Sequence, residues 1–294
     1  MMIKNMFLAV LAISIFATSC SSDDDNNESN LSDLTIDLEG LEALGDDYVY
    51  EGWIIVDGVA VSTGRFTSVN FPQTYVVDAT QLAAATTFVL SIEPTVDPDA
   101  GPAATKILAG DFVGNSSSVN SNLVADFSTA TGAYILATPT DMDDTNEASG
   151  VWFLDNSTDP PTAGLSLPAL SEGWIYEGWA VIDGTPVSTG TFTNVAATDD
   201  ADTFSGSVAL AAPNGADGFF PGEDFLLSAP DGLTFPTDLK GATIVVSVEP
   251  YPDNSAAPFT LKPLAHVVPV DAANHTVITM GTGPVPELTG SVTR

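Results

Sequence analysis

One 18-residue segment occurs twice in this chain, and that duplication limits what the chain can fold into. Residues 50–67 read YEGWIIVDGVAVSTGRFT and residues 176–193 read YEGWAVIDGTPVSTGTFT; they align without a gap, and 12 of the 18 positions are identical. A second block recurs downstream. Ser91-Ile92-Glu93-Pro94 matches Ser247-Val248-Glu249-Pro250, and Asp97, Pro102, Lys106, Leu108 and Ala109 match Asp253, Pro258, Lys262, Leu264 and Ala265. Ahead of each YEGW, Leu41-Glu42-Ala43-Leu44 corresponds to Leu167-Pro168-Ala169-Leu170. Fixed-offset self-similarity of this kind marks two copies of one structural unit.

The unit reads as β-structure. Residues 52–56 (GWIIV) form a short run rich in β-branched and aromatic side chains, which suits a pleated, half-buried surface. Asp57-Gly58 and Asp183-Gly184 are strong two-residue hairpin turns. Residues 86–93, 133–138 and 150–154 are further apolar runs, and helical periodicity is confined to one turn near 80–85. Many short strands separated by Gly and Pro predict an all-β chain: two tandem β-sandwich or open-barrel modules produced by internal duplication. Module 1 is expected over 34–155 and module 2 over 164–294, joined by a polar, Pro-rich linker at 156–163. Between its two repeated blocks the second copy carries about 30 extra residues, an insertion around 196–241 expected to form one or two hairpins or a long loop.

The N-terminus sets the expected compartment. Lys4 precedes the apolar run MFLAVLAISIFA at 6–17, which is shorter than the roughly 20 residues a membrane-spanning helix needs and so reads as the core of a signal peptide, 1–19. Ala17-Thr18-Ser19-Cys20 resembles the lipobox of bacterial lipoproteins, although Ala17 stands where Leu is commoner. That resemblance implies cleavage before Cys20, the only cysteine in the chain, and lipid attachment to it. The run SSDDDNNESN that follows is similar to the acidic tether of Bacteroidota surface lipoproteins, and a flexible tether is expected over 20–33. The expected location is the outer membrane, facing out of the cell. A lone cysteine excludes an intrachain disulfide.

Charge removes other function classes. With 39 acidic and 6 basic residues the formal net charge is -33. Nucleic-acid binding relies on Lys and Arg neutralising phosphates, so a nucleic-acid partner is not expected. An acidic shell repels itself, and salt screens that repulsion; the expected source is a marine or halophilic Gram-negative bacterium.

Candidate site residues come from the repeats and the acidic loops. Trp53 and Trp179 are equivalent, as are Tyr50 and Tyr176; these four are either the core anchors of their modules or a stacking platform for a ligand. Glu51, Glu177, Glu93 and Glu249 also recur, and serve either as hydrogen-bond acceptors at strand ends or as paired acid and base. The loops at 97–99, 141–147 and 199–202 are rich in carboxylates. Ca²⁺ favours six to eight oxygen ligands, which makes it the one candidate ion, but no loop has EF-hand spacing. His266 and His275 lie in neither a Cys-paired nor a HExxH pattern. No GxSxG elbow or phosphate-cradling glycine motif is present.

YEGW-x-x-x-DG-x-x-VSTG-x-F, followed by a strand ending in SIEP or SVEP and a Pro-containing loop before a Lys, resembles the extracytoplasmic C-terminal domain of anti-sigma-K-type factors. The resemblance extends over both copies. It implies an outer sensing or interaction module without the cytoplasmic helical domain or the transmembrane helix of the complete factors. The expectation is therefore a non-catalytic surface lipoprotein that binds an unidentified protein or glycan without a cofactor. A Ca²⁺-dependent or salt-adapted adhesin and a glycan-active hydrolase using the repeated Glu residues are the alternatives.

Overall fold

Each repeated motif folds as the hairpin that its turn residues dictate. The structure is a computed structural model and describes residues 30–208, 220–252 and 255–294. The first strands are β1 (Leu31–Glu39), β2 (Tyr48–Val56), β3 (Val59–Phe66), β4 (Gln73–Asp78), β5 (Thr87–Pro94), β6 (Lys106–Val113) and β7 (Ser116–Asn120), with one short helix, α1 (Ala79–Ala84). Next come β8 (Thr131–Leu136), β9 (Gly150–Trp152), β10 (Leu154–Asp155), β11 (Thr162–Ala163) and β12 (Leu165–Ser166). The remainder are β13 (Trp174–Ile182), β14 (Thr185–Phe192), β15 (Gly222–Asp224), β16 (Thr243–Pro250), β17 (Lys262–Val267), β18 (Ile278–Thr279), β19 (Gly281–Val285) and β20 (Thr289–Thr293). The fold is all-β, as the sequence predicts.

The turn between β2 and β3 has φ of 51° at Asp57 and 79° at Gly58; between β13 and β14 the values are 51° at Asp183 and 83° at Gly184. Positive φ at both central residues belongs to the type I′ turn, whose twist matches that of the flanking strands. Each hairpin then pairs with the strand that ends in Glu-Pro: β2 with β5, placing Trp53 opposite Val89, and β13 with β16, placing Trp179 opposite Val245. The single predicted helical turn is α1, capped by the Asp78 carboxylate, which accepts from the Gln81 amide at 2.9 Å.

Strand order places the ends of the two halves in each other's sheets. The largest sheet has eight strands in the order β3-β2-β5-β6-β7-β20-β1-β4, and its outer strands β3 and β4 approach each other, so the sheet nearly closes into a barrel. Seven of these strands come from the first half of the chain, whereas β20 is the last strand of the second half. Conversely, β8 from the first half pairs with β12 and β18 of the second. Each exchange sets a leucine in register with a glycine. Leu38 of β1 is in register with Gly290 of β20, and Leu165 of β12 with Gly132 of β8. Both glycines are needed for close approach: a Cβ on Gly290 would lie 2.5 Å from Leu38 Cδ2, and one on Gly132 would lie 2.8 Å from Leu264 Cδ1.

The boundaries 34–155 and 164–294 therefore divide the repeats in sequence but not the sheets in space. Leu31–Arg294 forms one compact unit. The stretch expected to be a linker, 156–163, instead ends in β11, which pairs with β10. The tether expected to reach residue 33 stops sooner, because Leu31, Ser32 and Asp33 are already paired with Asp78, Val77 and Val76 of β4. The signal peptide at 1–19, Cys20 and the tether through 29 lie outside the described residues, as do residues 209–219 of the insertion. The described part of that insertion contributes one strand, β15, which pairs with β9.

One continuous core serves both halves, drawing Tyr50, Phe88 and Leu108 together with Phe153, Tyr176 and Val246. Burying each such side chain contributes about 1.5–3 kcal/mol. The last residue is held as well: the Arg294 guanidinium donates to the Leu82, Ala85 and Gly114 carbonyls and lies 4.4 Å from the centre of the Phe112 ring.

Removing residues 289–294 takes away the neighbour shared by β1 and β7 and leaves two unpaired strand edges. The truncated chain is expected to lose cooperative unfolding, with a much lower Tm by circular dichroism. A truncation that melts like the parent would contradict this account of closure.

Candidate functional site

The repeated polar residues form matching buried chains of hydrogen bonds. In the first half, Trp53 Nε1 donates to Ser91 Oγ at 2.8 Å, Ser91 Oγ donates to the Glu93 carboxylate, and the Ala103 amide donates to that carboxylate at 2.8 Å. In the second, Trp179 Nε1 donates to Ser247 Oγ at 2.8 Å, Ser247 donates to Glu249, and the Phe259 amide donates to Glu249 at 2.9 Å. Trp53 and Trp179 are 3% and 1% exposed, so neither ring presents a face to a ligand. Both are core anchors whose indole N–H is satisfied internally, which removes the platform alternative.

The other repeated positions are equally occupied. Tyr50 Oη donates to the Glu42 carbonyl at 2.9 Å, and Tyr176 Oη to the Pro168 carbonyl at 2.7 Å. The Tyr50 ring stacks on Phe66 and the Tyr176 ring on Phe192. Glu51 accepts from Ser62 and pairs with Arg65 at 3.3 Å; Glu177 accepts from Ser188. Burial pushes the Glu93 carboxyl above its ordinary range, although the bonds from Ser91 and Ala103 oppose this.

A cleft lies where the two halves meet. It has a volume of about 430 Å³, within the usual range for small-molecule sites. One wall is Glu42 and Leu44 ahead of β2 with Tyr48 at its start, and the other is the chain leaving β16 (Tyr251, Pro252, Phe259). Two hydrogen bonds hold the halves together beside it: Thr260 Oγ1 to the Gly40 carbonyl at 2.6 Å and Trp174 Nε1 to the Lys106 carbonyl at 3.2 Å. The backbone that shapes the walls is repeated, since Thr95 N bonds Asp47 O and, equivalently, Tyr251 N bonds Gly173 O, both at 2.8 Å.

Some of the side chains that line this cleft differ between the copies. Glu42 corresponds to Pro168, Tyr48 to Trp174, Tyr251 to Thr95 and Phe259 to Ala103. Ala43, Leu44, Pro94, Glu249 and Pro250, which also line it, are the same in both copies. Burial raises the Glu42 carboxyl above its ordinary range, with Lys262 and the Thr260 backbone pulling the other way. Glu42 and Tyr251 were not distinguishable in the sequence as site residues. The usable signal was that the copies disagree at these positions within an otherwise matched frame.

A second feature lies in the insertion. Asp224 of β15 is fully buried and accepts from the Thr140 amide at 2.8 Å, the Thr140 hydroxyl, and Trp152 Nε1 at 2.7 Å. Its neighbour Glu223 accepts from Ser205 and from the Phe204 amide at 3.3 Å, and Asp199 accepts from the Gly222 amide at 2.7 Å. Burial is the leading cause that raises Asp199 and Glu223 to about 7 and Asp224 to about 6. Asp224 fastens the insertion to Thr140 and to Trp152 of β9, whereas Glu223 and Asp199 bond within the insertion and Asp200 ties it to Thr191 of β14. Elsewhere the acidic loops close on themselves: Asp97 caps the Asp99 amide and Asp141 the Asp143 amide. Among the described residues no group of three or more His, Cys, Asp or Glu side chains is placed to hold a metal ion. His266 bonds Tyr134 Oη at 3.0 Å and His275 bonds Glu147 at 2.9 Å, far from one another in role.

Ser91→Ala strands the Trp53 N–H and takes one donor from the Glu93 carboxylate, and Ser247→Ala does the same to Trp179 and Glu249. Each is expected to cost about 1–3 kcal/mol in urea unfolding, and the two losses should be similar. A second outcome concerns pH. A carboxyl raised in the folded state favours folding when protonated, so its stabilisation is complete below the unfolded value of about 4. That stabilisation is lost as pH rises toward 6 to 7, through the folded values of Asp224, Asp199 and Glu223. Unfolding midpoints in fixed salt should therefore fall from pH 5 to pH 8, and the fall should be smaller in Glu223→Gln. An unchanged slope in that variant would count against the assignment.

No protein-family model matches the chain, and neither a curated protein sequence nor a solved structure matches it. The likeness to the anti-sigma-K outer domain accordingly rests on the motif residues alone.

Proposed function

We propose that this chain is a non-catalytic binding protein, tethered to the outer membrane by a lipid on Cys20 and facing outward, with the junction cleft as its ligand site. The observation that carries the reading is the split between shared and divergent residues. Each of the four repeated glutamates accepts hydrogen bonds inside the frame: Glu51 from Ser62, Glu93 from Ser91 and Ala103, Glu177 from Ser188, Glu249 from Ser247 and Phe259. These acids serve the fold, which leaves the hydrolytic use of repeated Glu residues without support. Four positions at which the copies differ, Glu42, Tyr48, Tyr251 and Phe259, meet at one concave place.

A sensing role at the envelope agrees with the resemblance to the anti-sigma-K outer domain. The display reading draws on the signal-like N-terminus and the lone cysteine. In cells, the parent is expected to fractionate with outer membranes and to be shaved from intact cells by added protease. Cys20→Ala is expected to be released from membranes. A Cys20→Ala protein that still sediments like the parent would end the lipid-anchor reading.

A further inference from the structure

We infer that one end of the nearly closed eight-stranded sheet, the rim carrying Leu31, Val59, Val76 and Val113, seats on the net-neutral lipid surface in which the protein is anchored. The inference goes beyond the cleft and rests on the proposed lipid at Cys20.

Strand register fixes the rim. Val56 pairs with Val59 across the β2–β3 turn, Ile55 with Thr87, and Thr87 with Asp111. Val113 pairs with Ser116 across the β6–β7 turn, Ser116 with Thr293, and Leu31 with Asp78. These pairs bring both turns, the start of β1 and the end of β4 to one end of the sheet, where α1 packs against β1, β2 and β4. Arg294 ties the same end together through the Leu82, Ala85 and Gly114 carbonyls. The junction cleft, with Tyr48 and Pro94, lies at the opposite ends of β2 and β5. The nine residues of β2 set the two ends about 26 Å apart.

Four large apolar side chains stand in water at this rim: Leu31 is 55% exposed, Val59 63%, Val76 61% and Val113 83%. They come from four different strands spaced round the sheet, so together they suit a flat surface rather than a groove. The fold does not require Val59, since the second copy has Thr185 there and keeps the same turn. Exposed apolar groups clustered at one place mark a surface that something covers.

Two observations select lipid as the cover. The first is where the chain enters. Ten residues, 21–30, join Cys20 to Leu31, and even fully extended they span only about 35 Å. Leu31 belongs to the rim, so this end cannot lie farther than that from the lipid-bearing residue. A short tether raises the effective concentration to about millimolar, which populates a contact too weak to form between free partners. The second is charge. Asp33, Asp57, Asp78 and Asp111 stand at the same end, in a chain of net charge -33. A second copy and an anionic headgroup layer are both repelled, whereas a zwitterionic headgroup layer is not. Shallow entry of apolar side chains at the headgroup boundary strengthens with the apolar area buried.

The test attaches an environment-sensitive fluorophore to one introduced cysteine at a time in the full-length lipoprotein. The positions are Val59→Cys, Val113→Cys and, as a control, Val96→Cys, which is 86% exposed beyond the Pro94 end of β5. Cys20 does not compete, because its sulfur carries the lipid. In phosphatidylcholine vesicles with brominated acyl chains, the labels at 59 and 113 should lose about a third or more of their emission, and the label at 96 should keep its own. Adding Val59→Asp should lessen the loss at 113 with an unchanged Tm, and replacing part of the lipid by phosphatidylglycerol should lessen it too. Equal quenching at all three positions, or none, in protein that stays on the vesicles would overturn the seating and leave the anchor reading intact. Labels at 59 and 113 that shift to the blue without lipid quenching would assign the rim to a protein partner and overturn the lipid. Protein that does not float with vesicles and takes the label on Cys20 would overturn the anchor reading, and the seating with it.

Discussion

The backbone ladder that β20 makes with β1 and β7 is the interaction on which the architecture depends. Among the described residues it joins the strand nearest the C-terminus to the one nearest the N-terminus, and it completes an eight-stranded sheet that would otherwise stop at two bare edges. Unpaired edges are exposed templates for association with other chains, so closure provides solubility as well as stability. The counterpart is β8, which supplies the second half with a strand from the first. Because each half lends a strand, neither is complete alone, and the core runs through both without a break.

That arrangement also explains the cleft. Two separate modules on a linker would present no fixed surface to one another. Here the exchange of strands brings the Glu-Pro end of β16 against the segment preceding β2, and the bonds from Thr260 to Gly40 and from Trp174 to Lys106 set their spacing. Duplication acts as an internal control on residue roles. Where both copies keep Trp, Ser and Glu, the three form a buried chain of hydrogen bonds. Where one copy has Glu42 and the other Pro168, the shared frame uses the backbone carbonyl, and the Glu42 carboxylate faces Thr260 and Lys262 of the other half.

Acidity has two distinct structural meanings in this molecule. Most carboxylates are on the surface, where solvent and salt moderate their repulsion. Asp199, Glu223 and Asp224 are different, since they are drawn inward, Asp224 to accept from Thr140 and Trp152, and Glu223 and Asp199 to accept from groups within the insertion. Their raised titration ranges follow from that burial, so the insertion is held most firmly when they are protonated.

The sequence by itself determined the local plan: hairpins at Asp57-Gly58 and Asp183-Gly184, paired strands ending at Pro94 and Pro250, and an all-β class. These features are readable because turn geometry and strand alternation depend on residues a few positions apart. The choice of Trp53 and Trp179 as core anchors was only half readable, because an aromatic at a strand centre suits a core or a platform until its indole partner is known. Only the tertiary structure decided which sheet β8 and β20 join, that 156–163 is not a free linker, and that Glu42 meets Tyr251 across a cleft. Strand partnership is set by backbone hydrogen bonds, which every residue but proline offers equally, so no side-chain pattern announces it. A cleft between segments some 200 residues apart exists only once those partnerships have been made.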